Sequence, residues 1–163
     1  MLKKLYMVIL GAMLVVVPVT ADEAADKALK AAISVAKARQ GFMHLQNFQL
    51  KAMSDASTGK GDITEEVVSA AQNLANLTLM MASVFESGSG LDVVDFSRAE
   101  PSLWVDVDER DNLMSRLTGQ AGRLLDTAKA GDPAAFQGAF KQLKGTCNKC
   151  HESFRAKTAP RDM

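Results

Sequence analysis

Cysteine, histidine and the large aromatic residues are scarce in this 163-residue chain, which has two cysteines, two histidines, one tryptophan and one tyrosine. With two cysteines the chain can form at most one disulfide. A structural zinc ion takes four ligands, and the chain offers only Cys147, Cys150, His151 and His44 as thiols and imidazoles. The sequence therefore argues against a disulfide-rich domain and against a zinc domain.

Neither sign of charge is in excess, because the chain has 19 Lys and Arg residues and 19 Asp and Glu residues. Proteins that bind nucleic acids normally present a basic surface to the phosphates. We therefore expect no nucleic-acid partner. The chain also lacks a general base, a nucleophile or a substrate cleft that can be identified from a motif, so we do not expect an enzyme.

Only one long apolar run is present, Leu5 to Val19, and it is too short to favour a stable membrane span. It follows Lys3 and Lys4 and ends in Val19-Thr20-Ala21, a small-x-small cleavage pattern. We expect residues 1–21 to be a cleaved secretory signal peptide and residues 22–163 to form one domain in the periplasm. An uncleaved anchor is the alternative, which the charged stretch of residues 22–30 disfavours.

Alternating β-branched residues are rare after residue 22, whereas Ala, Leu, Met, Lys and Gln are frequent, which predicts helices throughout. Four long helices with mostly short turns predict an all-α antiparallel four-helix bundle. The predicted helices run from 23 to 53, from 62 to the Ser-Gly stretch at 87–90, from 106 to 130 and from 132 to 157.

Several residues are predicted to fix the helix ends. Residues 54–61 read as a loop by composition. Asp62 with Glu65, and Asp106 with Glu109, have the spacing of capping boxes. Asp132-Pro133 after Gly131 provides an N-cap and a first helical residue for the last helix.

The most specific motif is Cys147-Asn148-Lys149-Cys150-His151, since C-x-x-C-H is the attachment site of a c-type haem. Two thiols one helical turn apart can add to the two vinyl groups of one porphyrin, and the histidine can bind the iron as an axial ligand. A thioredoxin-like pair would instead follow a strand at a helix start. We expect one covalently attached haem c with its iron. A haem-free module with a Cys147–Cys150 disulfide stays open as an alternative.

The export signal, the helical pattern and the terminal motif together resemble the cytochrome c-prime family. The matching segments are Ala38-Arg39-Gln40, Pro101-Ser102-Leu103-Trp104, Gly131-Asp132 and Cys147 to Arg155. The resemblance implies a four-helix bundle with haem attached near the C-terminus. It also implies that a homodimer can form through the first two helices.

Met43 decides which branch of the family the chain resembles. Five-coordinate members carry an apolar residue on the distal side of the haem, four residues after the arginine of helix one, and that position is Met43 here. The resemblance implies that His151 and Met43 are the axial ligands, as in the low-spin c-556-type cytochromes. Met43 could instead be core packing, and His44 lies about 100° around the helix from it. Other candidate ligands are Met80, Met81 and Met114.

The resemblance also implies that Arg39 pairs with a haem propionate, through charge-assisted bonds, and that Arg155 lies beside the proximal side of the haem. Arg39 could instead be an ordinary surface arginine, and Arg155 could be a charge at a frayed helix C-terminus that the helix dipole favours. Trp104 is predicted to cover the bundle end or the haem edge. The apolar walls of the pocket are predicted to come from Phe140, Leu143 and Phe154.

The expected function is that of a periplasmic one-electron carrier that exchanges electrons with a redox partner protein. A basic rim around the haem helix could steer an acidic partner, although a solvated helix face has the same composition. The alternative function is a five-coordinate cytochrome that binds nitric oxide or carbon monoxide. The basic residues are Lys141, Lys144, Lys149, Lys157 and Arg161, and the acidic ones at the start of helix three are Asp106, Asp108, Glu109 and Asp111.

Overall fold

The computed structural model describes residues 21–85 and 87–157. The signal-peptide prediction, apart from Ala21, and Arg161 of the predicted basic rim lie outside the described residues. Within the described ranges, no helix has the length and apolar character needed to cross a membrane. Regular structure in these ranges is helical except for one isolated antiparallel bridge between Ala99 and Arg155.

Four long helices form the bundle, so the predicted all-α architecture is confirmed. Helix α4 packs against both α3 and α5, and α1 packs against α3. The helices are α1 (Ala21–Ala52), α2 (Ser54–Ser57), α3 (Glu65–Leu79), α4 (Val107–Ala130) and α5 (Pro133–Phe154), with 3-10 turns at Met81–Val84 and Pro101–Trp104.

The core is formed by the apolar stripes that the helical spacing predicts. Leu124 on α4 and Phe136 and Leu143 on α5 are completely buried. Burial of a side chain of this size contributes about 1.5–3 kcal/mol. Other buried residues that lie at helical spacing on α3, α4, α5 and the turn after α3 are Val67, Ala71, Leu74, Met81, Leu113, Leu117, Ala121, Leu125 and Phe140.

Both predicted capping boxes are wrong. Helix α3 starts after Thr64, whose Oγ1 accepts a hydrogen bond from the Val67 amide at 3.4 Å, so Asp62 lies outside the helix. Asp106 is the N-cap of α4 but makes no capping bond with its side chain. Its predicted partner Glu109 instead accepts a hydrogen bond from Ser153 on α5 at 3.1 Å. The Glu109 carboxylate therefore binds a residue of another helix and does not cap the start of its own helix.

The start of α5 is as predicted, because Asp132 Oδ1 accepts from the Ala135 amide at 3.0 Å and Pro133 is the first helical residue. Gly131 ends α4 with φ +64°, a conformation that side chains disfavour. Three predicted boundaries are wrong. Residues 54–57 are helical and not loop, α3 ends at Leu79 and not near 87, and α5 ends at Phe154 and not at Lys157.

Candidate haem-binding site

The two cysteines lie in the interior of α5, and both are half-buried free thiols. Cys147 packs against the main core, which includes Phe42, Phe140 and Leu143. Cys150 packs against a second cluster made by Ala99, Leu103, Leu113 and Phe154. Because the two cysteines lie three residues apart on α5, they span the two clusters, and Phe85 also packs against both.

The environment of the thiols is apolar enough to change their acidity. Burial raises the pKa of Cys147, and a backbone hydrogen bond and the nearby Lys144 partly offset the increase. Burial raises the pKa of Cys150 to about 11, with smaller contributions from Cys147 and Glu109. Before a haem is attached, both groups are therefore neutral thiols at physiological pH, consistent with a wall of an apolar pocket.

His151 directly follows Cys150, and its side chain reaches the surface. Partial burial of the ring lowers its pKa, and the positive charges of Arg155 and Arg98 lower it further. The neutral imidazole is the form that binds a metal. The arrangement therefore keeps His151 in a ligand-competent state at neutral pH.

The backbone after His151 pairs with the segment that precedes the Pro101–Trp104 turn. The Glu100 amide donates to Phe154 O at 2.9 Å, and the Ala156 amide donates to Arg98 O at 2.9 Å. The Arg98 side chain donates from Nε to Ala156 O at 3.1 Å and from Nη2 to Lys157 O at 2.9 Å. This pairing is why α5 ends earlier than predicted.

Arg39 is buried and held by the connection between α3 and α4. Its Nη1 donates to Ser89 Oγ at 2.8 Å, and its Nη2 donates to Ser89 O at 2.6 Å and to Ser97 Oγ at 3.0 Å. The guanidinium also lies 5.9 Å from the ring centre of Phe85 and 5.7 Å from that of Trp104. Ser89 and Ser97, both buried, have no helix periodicity that would have identified them from sequence.

The network around Arg39 contains neutral oxygens and aromatic faces. Among the acidic side chains in residues 21–85 and 87–157, none forms an ion pair with it. Burial lowers the pKa of Arg39 but leaves it a cation. Phe85 and Trp104 also pack on the cluster that contacts Cys150, so these two rings and the cluster connect Arg39 to the thiol. Its pairing with a propionate stays a prediction.

Met43 is half-buried on α1 and packs against the same core as Cys147. Its neighbour His44 and the alternative Met80 are exposed. Met81 is buried, with its sulfur 4.0 Å from Gln46 Nε2. Met114 is half-buried against the main core. The structure therefore turns two of the competing side chains towards solvent and leaves three methionines in the interior.

Trp104 covers the site from the α3–α4 connection. Its Nε1 donates to Phe85 O at 2.9 Å, and its ring packs on the cluster that contacts Cys150. The ring lies so close to Gly90 that a side chain there would place Cβ 2.7 Å from Trp104 Cζ3. Gly90 therefore allows the connection to close over the indole.

Lys149 of α5 approaches Glu109 on α4, with Nζ and Oε1 at 3.9 Å. Arg155 is exposed, and its amide donates to His151 O at 3.2 Å. No group of three or more His, Cys, Asp and Glu side chains suited to a metal ion occurs in the described part of the chain.

The residues present fit a covalently attached haem. Two neutral thiols one turn apart face apolar surroundings, a neutral imidazole follows them, and a buried cation without a carboxylate partner in the described ranges lies nearby. Thioether formation requires the thiols, and an imidazole nitrogen is a common iron ligand. A buried cation suits a propionate, since buried charges are normally paired.

Comparisons with known proteins agree with this site. The sequence profile of the family described as Cytochrome C' matches residues 34–155. A cytochrome c-554 from Cereibacter sphaeroides is 28% identical over 123 residues, which cover 73% of this chain and 78% of the relative. A cytochrome c' from Pararhodospirillum photometricum is 28% identical over 106 residues, which cover 65% of this chain and 83% of the relative.

Solved structures share the fold. A cytochrome c' from Rhodobacter Spheriodes superposes with a TM-score of 0.72 at 24% identity, covering 78% of this chain and 98% of that chain. A cytochrome c prime from Alcaligenes xylosoxidans, a ferrous variant with bound NO, gives a TM-score of 0.70 at 20% identity, covering 78% of this chain and 97% of that one.

Members of the matched family are haem proteins and not enzymes, and the family implies a haem c attached through the C-x-x-C motif, here Cys147 and Cys150. The profile match covers most of the described bundle, including the motif. The chain belongs to the cytochrome c′ family.

Proposed function

We propose that the protein is an exported one-electron carrier in which His151 and Met43 are the two axial ligands of a single haem c. The observation that carries the proposal is the placement of Met43. It is half-buried against the same core as Cys147, at the position where the family has its distal residue, while His44 and Met80 are exposed. When bound, the haem supplies a ferric/ferrous couple.

The protein's own residues have separate tasks in this proposal. Cys147 and Cys150 fix the cofactor to α5, and Phe140 and Leu143 exclude water from its surroundings. A dry, apolar surrounding tunes the potential of a metal centre. A thioether ligand such as Met43 raises the potential further. Arg39 provides a buried positive charge for a propionate.

A redox partner would meet the side of α5 that carries His151. Helical geometry places Lys144 on the same side as His151, away from the side where Lys149 and Ser153 contact Glu109 of α4. Arg155, which is exposed, directly follows the end of the helix. An acidic partner surface would be complementary to these exposed cations. The export pattern in residues 1–21 and the typically periplasmic location of the family support electron transfer in the periplasm.

A gas-binding cytochrome is the second candidate. If Met43 only packs in the core, the distal side of the iron is apolar and open to a small neutral ligand. Structural relatives with the same fold are described as complexes with nitric oxide or carbon monoxide. Those relatives are about one-fifth identical to this chain, at 20% and 21%, so they favour this candidate by fold alone.

The visible spectrum of the purified ferric protein separates the two candidates. We expect a low-spin spectrum that becomes high-spin in Met43→Ala, because the substitution removes the sixth ligand. Met114→Ala is the matched control, since Met114 is also half-buried against the main core, and it should stay low-spin. A high-spin wild-type spectrum would contradict the electron-carrier assignment and favour gas binding.

Covalent attachment has its own test. A pyridine haemochrome assay should show one haem c in the wild-type protein. Cys147→Ser or Cys150→Ser should leave a haem with only one thioether, which shifts the haemochrome band. If the wild-type protein carried no covalent haem, the disulfide-bonded alternative would replace the cytochrome assignment.

A further inference from the structure

The last turn of α5 carries His151 and ends three residues later at Phe154. Helix ends leave carbonyl groups without intrahelical partners, and they fray unless other groups bind them. Here His151 O accepts from the Arg155 amide at 3.2 Å, and Phe154 O accepts from the Glu100 amide at 2.9 Å. The end of α5 is thus fixed by a segment from the α3–α4 connection.

Arg98 contributes the side chain that completes this attachment. Its Nε and Nη2 both donate to Ala156 O, and Nη2 also donates to Lys157 O. Its own carbonyl accepts from the Ala156 amide at 2.9 Å. The guanidinium is a rigid planar fork, so these bonds fix the direction of the backbone as well as its position. A lysine could not reproduce them, because its ammonium is a point charge.

We propose that Arg98 is a positioning residue for the axial ligand: by binding the carbonyls of Ala156 and Lys157, it holds the last turn of α5, and with it His151, in one orientation. The inference rests on the proposed role of His151 as an iron ligand. It does not depend on whether Met43 ligates. No motif identifies Arg98, and its partners lie 58 and 59 residues away in the sequence.

The experiment compares Arg98→Ala and Arg98→Lys with the wild-type holoprotein. Arg123→Ala is the matched control, since Arg123 is exposed on α4 and has no contact with the end of α5 among the described hydrogen bonds and ion pairs. Amide hydrogen exchange of residues 151–157 reports whether the turn is held. The electron paramagnetic resonance spectrum of the ferric haem reports the orientation of the axial imidazole.

We expect exchange in this segment to become about tenfold faster in both Arg98 variants, as the loss of two or three hydrogen bonds allows. We also expect a broadened resonance spectrum in both, because the imidazole then samples several orientations. Arg123→Ala should match the wild type in both measurements. Because Arg98→Lys keeps the positive charge, faster exchange and a broadened spectrum in this variant would assign the effect to the hydrogen bonds of the guanidinium.

Three outcomes would overturn the inference. Unchanged exchange would show that Arg98 does not hold the turn, and faster exchange with an unchanged resonance spectrum would show a purely structural role. A wild-type spectrum in Arg98→Lys would assign the effect to charge. These three outcomes apply to protein that carries its covalent haem. A wild-type protein without haem would contradict the proposed function and not the role of Arg98.

Discussion

At the scale of single residues, the two thiols of the attachment motif differ in environment although they lie on one helix. Cys147 has Lys144 nearby, which opposes the effect of burial on its pKa, whereas Cys150 has Glu109, which adds to it. Thiolates and not thiols are nucleophiles. The structure therefore predicts weak reactivity of Cys150 before haem is attached.

This acidity can be measured on apoprotein produced without haem attachment. The pKa of Cys150 is raised from 9.0 to about 11, so at pH 8 the thiolate is about a hundredfold rarer than in an unfolded peptide. We expect alkylation of Cys150 to be slower by about that factor and to speed up as the pH rises towards 11. Mass spectrometry after timed alkylation gives the rates. Equal rates with and without denaturant would contradict the buried environment.

At the scale of helices, the starts of α4 and α5 offer a direct comparison. Both have an aspartate at the N-cap, but only Asp132 makes a side-chain capping bond. Because both carboxylates lie at the positive end of a helix dipole, the difference between them isolates the capping hydrogen bond.

We expect Asp132→Ala to lower the free energy of unfolding by about 1 kcal/mol. Asp106→Ala should lower it by less than about 0.5 kcal/mol, as for a surface substitution. Urea unfolding followed by circular dichroism measures both. Equal losses in the two variants would show that the Asp132 bond contributes nothing beyond its charge.

These two helix starts also show what the sequence can and cannot predict. The four long helices, their buried stripes and the Asp132-Pro133 start of α5 follow from local spacing, whereas the short helix α2 was not predicted. The Asp106–Glu109 capping box failed because Glu109 is used by α5, a contact 44 residues distant that no local pattern encodes. The early end of α5 has the same kind of cause.

The residues of the candidate site also fall into those that the sequence identifies and those that it does not. The C-x-x-C-H motif identifies Cys147, Cys150 and His151 directly, because covalent attachment imposes a fixed spacing. Ser89, Ser97 and Arg98 were missed, since they lie in an irregular connection and act through contacts with α1 and the end of α5. Residue type alone does not distinguish them from other loop residues.

At the scale of the whole molecule, one side of α1 has no partner within the described chain. Leu45 is 54% exposed and Phe48 is 67% exposed. Ala38 and Gly41 lie on the same exposed side and would allow another helix to approach closely. A second copy of the chain is the partner that the family resemblance implies.

We expect the protein to sediment as a homodimer. Phe48→Glu should lower the sedimenting mass about twofold, because the substitution would bury a charge in the interface. Val105→Glu is the control, since Val105 is 75% exposed outside α1 and should leave the dimer intact. Sedimentation velocity measures both. A monomeric wild type, or a dimer that tolerates Phe48→Glu, would contradict an interface on α1.

The connection between α3 and α4 binds α1 through Arg39 and the end of α5 through Arg98, over sequence separations of 50 and 58 residues. Contacts so far apart in the chain close large loops, which costs entropy before the contacts form. We therefore expect the connection to dock late in folding, after the helices on both sides of it have assembled. On that expectation, its docking closes the surroundings of the two thiols.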